Sequence, residues 1–157
     1  MNKPVDFKKI STHTTPDESP GFLLWKVSTL WRRSIERTLK TFGLTHPQFV
    51  ILAPTGWLTR KGEKPTQAQI GKLAGLDPNT TSQIMRGLQA KKLITRLNSI
   101  DERSKSPTLT AKGAQILAQA LPAVEHQDAA FFAPFDSQKS GILKALQKLA
   151  QEPNEVL

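Results

Sequence analysis

The chain has 157 residues, 38% of them hydrophobic, and a formal net charge of +9 that is concentrated in residues 57–112. This composition excludes a disordered chain and predicts one domain with a real core, and the absence of cysteine excludes disulfides, thiolate catalysis and cysteine-ligated zinc. No apolar run approaches the roughly 20 residues that cross a bilayer, and residues 1–19 lack the apolar segment of a signal peptide. We therefore expect a cytoplasmic protein that has no membrane contact.

The first half of the chain predicts an arm followed by two helices. Residues 1–18 show no periodicity and are expected to form a flexible arm. Ser19-Pro20 is a helix start, after which apolar residues recur at helical spacing up to Gly43. Thr45 and Gln48 form a capping box that begins a second helix, which Pro54 should kink or interrupt.

The second half predicts two short helices, a hairpin and two longer helices. Thr66 and Gln69 repeat the capping box, with Ile70, Leu73 and Ala74 expected to face inward, and Gly75-Leu76 makes a tight turn before the start at Asp77-Pro78. Residues 94–97 and 107–110 are strand candidates around a charged loop. Thr110 and Asp136 are the expected caps of the last two helices. The fold class is therefore mainly α with a small β-hairpin wing, a winged helix-turn-helix.

The helix that starts at Asp77-Pro78 is the candidate DNA-reading element. In a helix-turn-helix the second helix enters the major groove and presents its N-terminal residues to base edges. Asn and Gln side chains can bond adenine bidentately, Ser and Thr donate to bases or phosphates, and Arg reaches guanine or phosphate. We assign base contacts to residues of these types in the first turns: Asn79, Thr80, Thr81, Ser82, Gln83 and Arg86.

Two further sets complete the predicted DNA surface. The wing contributes Arg103, Ser104 and Lys105, because an arginine on a hairpin tip can enter a narrow minor groove. Phosphate contacts are assigned to Thr66, Gln67 and Lys91. Taken in isolation, a polar helix start or a charged loop is ordinary protein surface, so the interpretation depends on the combination.

The sequence resembles the MarR family of bacterial regulators over roughly residues 20–120. The resemblance rests on ordered matches rather than on one motif: Gly43-Leu44-Thr45, Gln48-Phe49, residues 66–71 (TQAQIG), Leu76-Asp77, Thr80-Thr81-Ser82, residues 88–94 (LQAKKLI), residues 101–105 (DERSK) and residues 109–113 (LTAKG). It implies a winged-helix homodimer with intertwined terminal helices that binds pseudo-palindromic DNA, usually as a repressor, and that is often released by a small aromatic acid.

By position, the resemblance carries base reading onto Asn79, Thr80, Ser82, Gln83 and Arg86, and minor-groove contact onto Arg103. The chain also departs from the family pattern. Lys92 stands where the family usually has glycine, so it must tolerate the helix-ending conformation or the turn must differ. Glu102 and Gln83 stand where many members have arginine, which affects the grip of the wing and the operator preference.

A dimer is also expected on physical grounds, because the terminal helices hold more apolar residues than a thin winged-helix core can bury. Residues 19–44 and 111–157 are assigned to dimerisation and residues 45–110 to the DNA-binding lobe. The candidate effector pocket between them is assigned to aromatic residues and one arginine: Trp25, Trp31, Arg33, Phe49 and Trp57. No cofactor and no metal is expected.

Three alternatives stay open at this point. A constitutive DNA-binding protein would lack the effector, and a protein-interaction module would use the winged helix without DNA. An enzyme is disfavoured because His13, His46 and His126 are far apart in sequence, and because no phosphate loop or dinucleotide fingerprint is present.

Overall fold

The computed structural model describes residues 5–96 and 106–151, with the Arg96 side chain left out. Its helices are α1 (Phe7–Ile10), α2 (Pro20–Lys40), α3 (His46–Thr59), α4 (Gln67–Leu73), α5 (Pro78–Ala90), α6 (Ala111–Phe132) and α7 (Lys139–Leu149), and its strands are β1 (Ile94–Arg96) and β2 (Pro107–Leu109). Short 3-10 turns cover Pro16–Glu18 and Ala133–Gln138. The predicted fold class, mainly helical with a small hairpin, is confirmed.

Helix α2 begins and ends as its sequence predicts but buries only its second half. The Ser19 side chain accepts a hydrogen bond from the Phe22 N–H at 3.3 Å, and Pro20 occupies the first turn. Ile35 and Leu39 are fully buried, whereas the apolar residues of the first half stay exposed. Helix α2 packs along α6, so the two helices form a layer behind the rest of the fold.

Helix α3 runs through Pro54 without interruption. The proline lacks an N–H for the helical ladder, but Ile51, Leu52 and Thr55 around it are all fully buried. The Thr55 hydroxyl donates to the Ile51 carbonyl at 2.8 Å. Packing on both sides of the proline therefore holds the helix together where local preference predicted a kink or a break.

The hairpin lies between α5 and α6. Strands β1 and β2 pair antiparallel with Ile94 opposite Leu109 and Thr95 opposite Thr108, whose hydroxyl oxygens lie 2.9 Å apart. The turn before β1 keeps the left-handed conformation of a helix end, because Lys92 adopts a φ of 59° in place of the glycine usual in the family. The Leu93 N–H closes that turn on the Leu88 carbonyl at 2.9 Å.

Helix α6 begins at its predicted cap and continues through Pro122. Thr110 accepts a hydrogen bond from the Gly113 N–H at 2.9 Å. The prediction that Asp136 caps the last helix is wrong, because a 3-10 turn covers residues 133–138 and α7 starts after Gln138 without a side-chain cap. The chain bends there, between the aromatic cluster at the end of α6 and α7.

The core lies where α3, α4, α5, the hairpin, the second half of α2 and the middle of α6 meet. Its members are buried apolar residues from all of these elements: Ile35, Leu39, Leu44, Phe49, Ile51, Leu52, Ile70, Met85, Leu88, Leu93, Ile94, Ala120 and Val124. Leu73, which was expected to face inward from α4, is 57% exposed instead. Within residues 5–96 and 106–151, no helix is both long and apolar enough to cross a membrane.

Candidate nucleic-acid interface

The start of α5 is fixed by the Asp77 carboxylate. One carboxylate oxygen accepts from the backbone N–H groups of Asn79 and Thr80, both at 2.9 Å, and the other accepts from the Thr80 hydroxyl at 2.6 Å. The Thr80 side chain, and then its backbone N–H, lower the pKa of Asp77. The carboxylate is therefore ionised at neutral pH and holds the first turn in place.

Beyond this cap, α5 presents a polar face to solvent. Asn79, Gln83 and Arg86 are exposed, and Ser82 and Thr80 are half-buried. Gln83 and Arg86 lie three residues apart and share one side of the helix. Asn79 and Ser82 line an open groove between α5 and α4. The Asn79, Gln83 and Arg86 side chains are therefore accessible to a ligand that lies along this face of the helix.

Thr81 has a different position from its neighbours in the predicted base-reading set. Its side chain is 1% exposed, and its hydroxyl donates to the Asp77 carbonyl at 2.8 Å. A Cβ atom added to Gly71 of α4 would lie 2.5 Å from the Thr81 hydroxyl oxygen. Thr81 is thus a packing residue that sets how closely α4 approaches α5, and we leave it out of the proposed DNA contacts.

The predicted phosphate-binding residues lie in two separate places. Thr66 caps α4, where its side chain accepts from the Gln69 N–H at 3.2 Å, and Gln67 lines the groove between α4 and α5. Lys91 lies at the opposite end of α5. Its ammonium donates to the Gly43 carbonyl at 2.7 Å and to the Gln48 side chain at 2.8 Å. The Lys91 ammonium is therefore held by protein oxygens on the side of α2 and α3.

The base of the wing is attached to the start of α4. Ser106 is buried, and its hydroxyl donates to the Pro65 carbonyl at 3.1 Å. The next residue along the loop from Pro65 is Thr66, the cap of α4, so the hairpin and the helix-turn-helix share an anchor. The predicted wing contacts Arg103, Ser104 and Lys105 lie outside the described residues.

The five residues assigned to an effector pocket lie in unlike surroundings. Phe49 is in the core, Arg33 is exposed, and Trp25 is 68% exposed on the first half of α2. Trp57 is 60% exposed, with the Arg60 guanidinium 3.5 Å above its ring. Trp31 is half-buried, and it alone of the five makes a long-range side-chain hydrogen bond within the described residues.

The Trp31 indole connects α2 with α6 and α3. Its N–H donates to Asp128 at 2.7 Å, and its ring meets the His46 ring edge-on, with centroids 5.1 Å apart. Burial lowers the pKa of His46, and Arg32 adds to the decrease, while Glu36 and Asp128 oppose it. The imidazole is therefore neutral at pH 7 and packs as an aromatic group.

A groove between the end of α6 and α7 is the cavity that the sequence analysis missed. It has an apolar floor that includes Phe132, Phe135 and Leu146, and carboxylates at Glu125, Asp128 and Asp136. The sequence signal was the aromatic cluster before α7, but the sequence does not show that α7 folds back beside α6. Among the described residues, no three His, Asp or Glu side chains gather in a set that could hold a metal ion.

Comparisons with known proteins agree with this geometry. The family profile of the ArnR1-like, winged-helix domain matches residues 40–126. An uncharacterized HTH-type transcriptional regulator of Bacillus subtilis, YdcH, is 36% identical over 140 residues, which cover 88% of this chain and 95% of that protein.

Crystal structures of the MarR family protein Rv2887 of Mycobacterium tuberculosis are also similar. The complex with salicylic acid has a TM-score of 0.62 and 28% identity, covering 84% of this chain and 96% of that one. The complex with DNA has a TM-score of 0.64 and 25% identity, covering 85% and 98%. The resemblance stated from the sequence is confirmed: the chain belongs to the MarR family of winged-helix transcriptional regulators.

Proposed function

We propose that the protein is a homodimeric repressor that binds pseudo-palindromic double-stranded DNA and is released from it by a small aromatic acid. The observation that carries the proposal is the exposed polar face of α5, with Asn79, Gln83 and Arg86 projecting from a helix whose first turn is fixed by Asp77. The related protein Rv2887 has been crystallised with DNA and with salicylic acid, which supports both parts of the proposal.

We assign the DNA contacts to α5, to the start of α4 and to the wing. The N-terminal turn of α5 enters the major groove, where Asn79 and Gln83 read adenine edges and Arg86 reaches a guanine or a phosphate. Thr66 and Gln67 at the start of α4 face the neighbouring backbone, and Arg103, Ser104 and Lys105 of the wing extend the contact to the minor groove.

The dimer is supported by apolar surface that one copy leaves open. The first half of α2 exposes Leu24 (59%) and Leu30 (50%), and α7 exposes Leu143 (55%) and Leu149 (76%). Leu143 also lines the groove between α6 and α7, which is mainly apolar and carries the carboxylates of Glu125, Asp128 and Asp136. We assign this surface to a second copy, because two copies related by a two-fold axis would present two α5 helices about one DNA turn apart, roughly 34 Å.

An effector would act by preferring a dimer whose two α5 helices have the wrong separation for adjacent grooves. Such a ligand shifts the equilibrium only by its differential affinity for the two arrangements. We keep Trp25, Trp31, Arg33, Phe49 and Trp57 as the proposed lining of its site, since three of the five are aromatic side chains with exposed or half-buried rings on α2 and α3. The protein then works by binding, without catalysis.

The first experiment measures DNA binding by fluorescence anisotropy, with DNA from upstream of the protein's own gene and a scrambled duplex of equal length. Gln83→Ala should alter sequence preference, with each lost base contact worth ~1–3 kcal/mol. Gln119→Ala, on the exposed side of α6, is the matched control and should bind as the wild type does. Equal affinity of the wild type for both duplexes would contradict sequence-specific recognition, and binding to neither duplex would favour a protein-interaction module instead.

Two further measurements test the remaining parts. Sedimentation equilibrium should give a dimer, and a lone protomer at the concentrations that bind DNA would contradict the two-helix geometry. Titration of salicylate and related aromatic acids into the protein–DNA complex should release the DNA. Complete indifference to the whole series would leave a constitutive DNA-binding regulator.

A further inference from the structure

A lysine at the end of α5 connects this helix to the turn between α2 and α3. Lys91 is the C-cap residue of α5, and its ammonium donates to the Gly43 carbonyl at 2.7 Å and to Gln48 Oε1 at 2.8 Å. Gly43 ends the turn after α2 with a φ of 66°, and Gln48 is in the first turn of α3. One side chain therefore joins three helices.

Both oxygen atoms that accept from Lys91 suit a positively charged donor. The Gly43 carbonyl lies just past the end of α2, where the helix dipole favours a cation. Gln48 Oε1 is also the acceptor of the α3 capping box, since the Thr45 N–H donates to it at 3.2 Å. Hydrogen bonds from an ammonium are about twice as strong as bonds between neutral groups. Gln48 Oε1 thus fixes the start of α3 and also accepts a hydrogen bond from Lys91 at the end of α5.

The same end of α5 is held from a second direction. Lys112 of α6 donates to the Lys91 carbonyl at 3.2 Å, and the Thr110 hydroxyl donates to the Lys92 carbonyl at 2.7 Å. The Gln48 amide lies against α5 itself, because a Cβ atom added to Gly87 would be 3.4 Å from Gln48 Nε2. These contacts leave the C-terminal end of α5 little freedom to turn relative to α2.

We propose that Lys91 is a positioning residue for DNA binding, which acts through Gln48 and Gly43 to fix the angle of α5 relative to α2, and that it does not bind a DNA phosphate. The proposal rests on the proposed function, because that angle matters only if two α5 helices in a dimer must match successive grooves. It replaces the phosphate contact that the sequence analysis assigned to Lys91 with an internal one.

The two roles differ in their salt dependence. A lost phosphate contact lowers the slope of log affinity against log salt by about 1, whereas a lost internal contact leaves the slope unchanged. Lys91→Met keeps the length of the side chain and removes the ammonium, and Gln48→Met removes the acceptor without touching charge. Lys8→Met, exposed on α1, is the control for the loss of one positive charge.

We expect each of Lys91→Met and Gln48→Met to weaken binding on the order of tenfold, the size of one hydrogen bond to a charged group. The double variant should bind less weakly than the product of the two single losses predicts, because both changes remove the Lys91–Gln48 contact. Lys8→Met should bind within about twofold of the wild type. The proposal is overturned if Lys91→Met lowers the salt slope by about 1 while Gln48→Met binds as the wild type does.

A conservative change keeps the test valid if either methionine variant folds poorly. Glutamate is also a capping-box residue, so Gln48→Glu retains the helix start and offers Lys91 a carboxylate. Gln48→Glu should bind DNA within about twofold of the wild type, and adding Lys91→Met to it should weaken binding at least as much as in the wild-type background. Equal binding with and without Lys91 in that background contradicts the proposal, whereas a wild type that binds no DNA contradicts the proposed function instead.

Discussion

Gly113 is the position where one methyl group should do the most damage to the fold. A Cβ atom at residue 113 would lie 1.9 Å from the Leu93 carbonyl oxygen and 2.8 Å from the Leu93 carbonyl carbon. Both atoms are backbone, so no side-chain rotation can relieve the clash. Because real contacts of this kind begin near 3 Å, Gly113→Ala requires the first turn of α6 to retreat from the start of β1 by on the order of 1 Å.

That retreat removes identifiable interactions. The Thr110 N–H donates to the same Leu93 carbonyl at 3.0 Å, and the Thr110 side chain caps α6 through the Gly113 N–H. The lost backbone bond costs about 1 kcal/mol, the weakened cap about 1 kcal/mol, and the residual overpacking about 1–3 kcal/mol. For a chain of this size, a total of about 3–5 kcal/mol lowers the melting temperature by roughly 6–20 °C.

Thermal unfolding followed by circular dichroism at fixed protein concentration measures this effect. The matched control is Gly141→Ala in α7, where an added Cβ atom meets nothing within 4 Å. Alanine there should be neutral or stabilising by up to ~1 kcal/mol, since it is the better helix former. A melting temperature for Gly113→Ala within about 2 °C of the wild type would refute the reasoning, because it would show that β1 and α6 can separate at no cost.

Three other substitutions test the contacts that hold α5 in place. Gly71→Ala should lower the melting temperature and weaken DNA binding, because its Cβ atom would meet the Thr81 hydroxyl, and Thr81→Ala in the same chain should recover part of the loss. Lys92→Gly should raise stability by ~0.5–1 kcal/mol in denaturant unfolding, because it relieves a φ of 59°. Asp77→Ala should lower the melting temperature at pH 7 by roughly 2–4 °C. Because the folded-state pKa of Asp77 is lowered, its contribution is present above about pH 4 and is lost as the pH falls further, so wild type and variant should converge in acid.

Helix starts were the part of the fold that the sequence predicted best. Thr45, Thr66, Asp77 and Thr110 all cap the helices assigned to them. Each cap is a hydrogen bond between groups two or three residues apart, so the information is local and can be read without knowing the fold. The prediction for Asp136 was wrong because a 3-10 turn covers that residue. The start of α7 therefore lies beyond the reach of the Asp136 side chain.

The burial and the partners of side chains were predicted less well, because they depend on which helices and strands pack against each other. Thr81 belongs to a run of five polar residues and looks like its neighbours, but the close approach of α4 at Gly71 buries it. Leu73 has helical spacing with Ile70, but α4 is only seven residues long and its last turn leaves that side chain exposed. The internal acceptors of Lys91 could not be predicted, because they are 43 and 48 residues away in sequence.

The contacts around α5 also limit how an effector can act. Asp77 fixes the first turn, Gly71 and Thr81 fix the approach of α4, and Lys91 fixes the far end. Turning α5 within its lobe would break several of these contacts at once, at about 1 kcal/mol or more for each. The exposed first half of α2 makes no such set of contacts with the lobe among the described residues. We therefore expect an effector to move the two DNA-binding lobes of a dimer as whole units through the exposed first half of α2, because that motion leaves the contacts around each α5 intact.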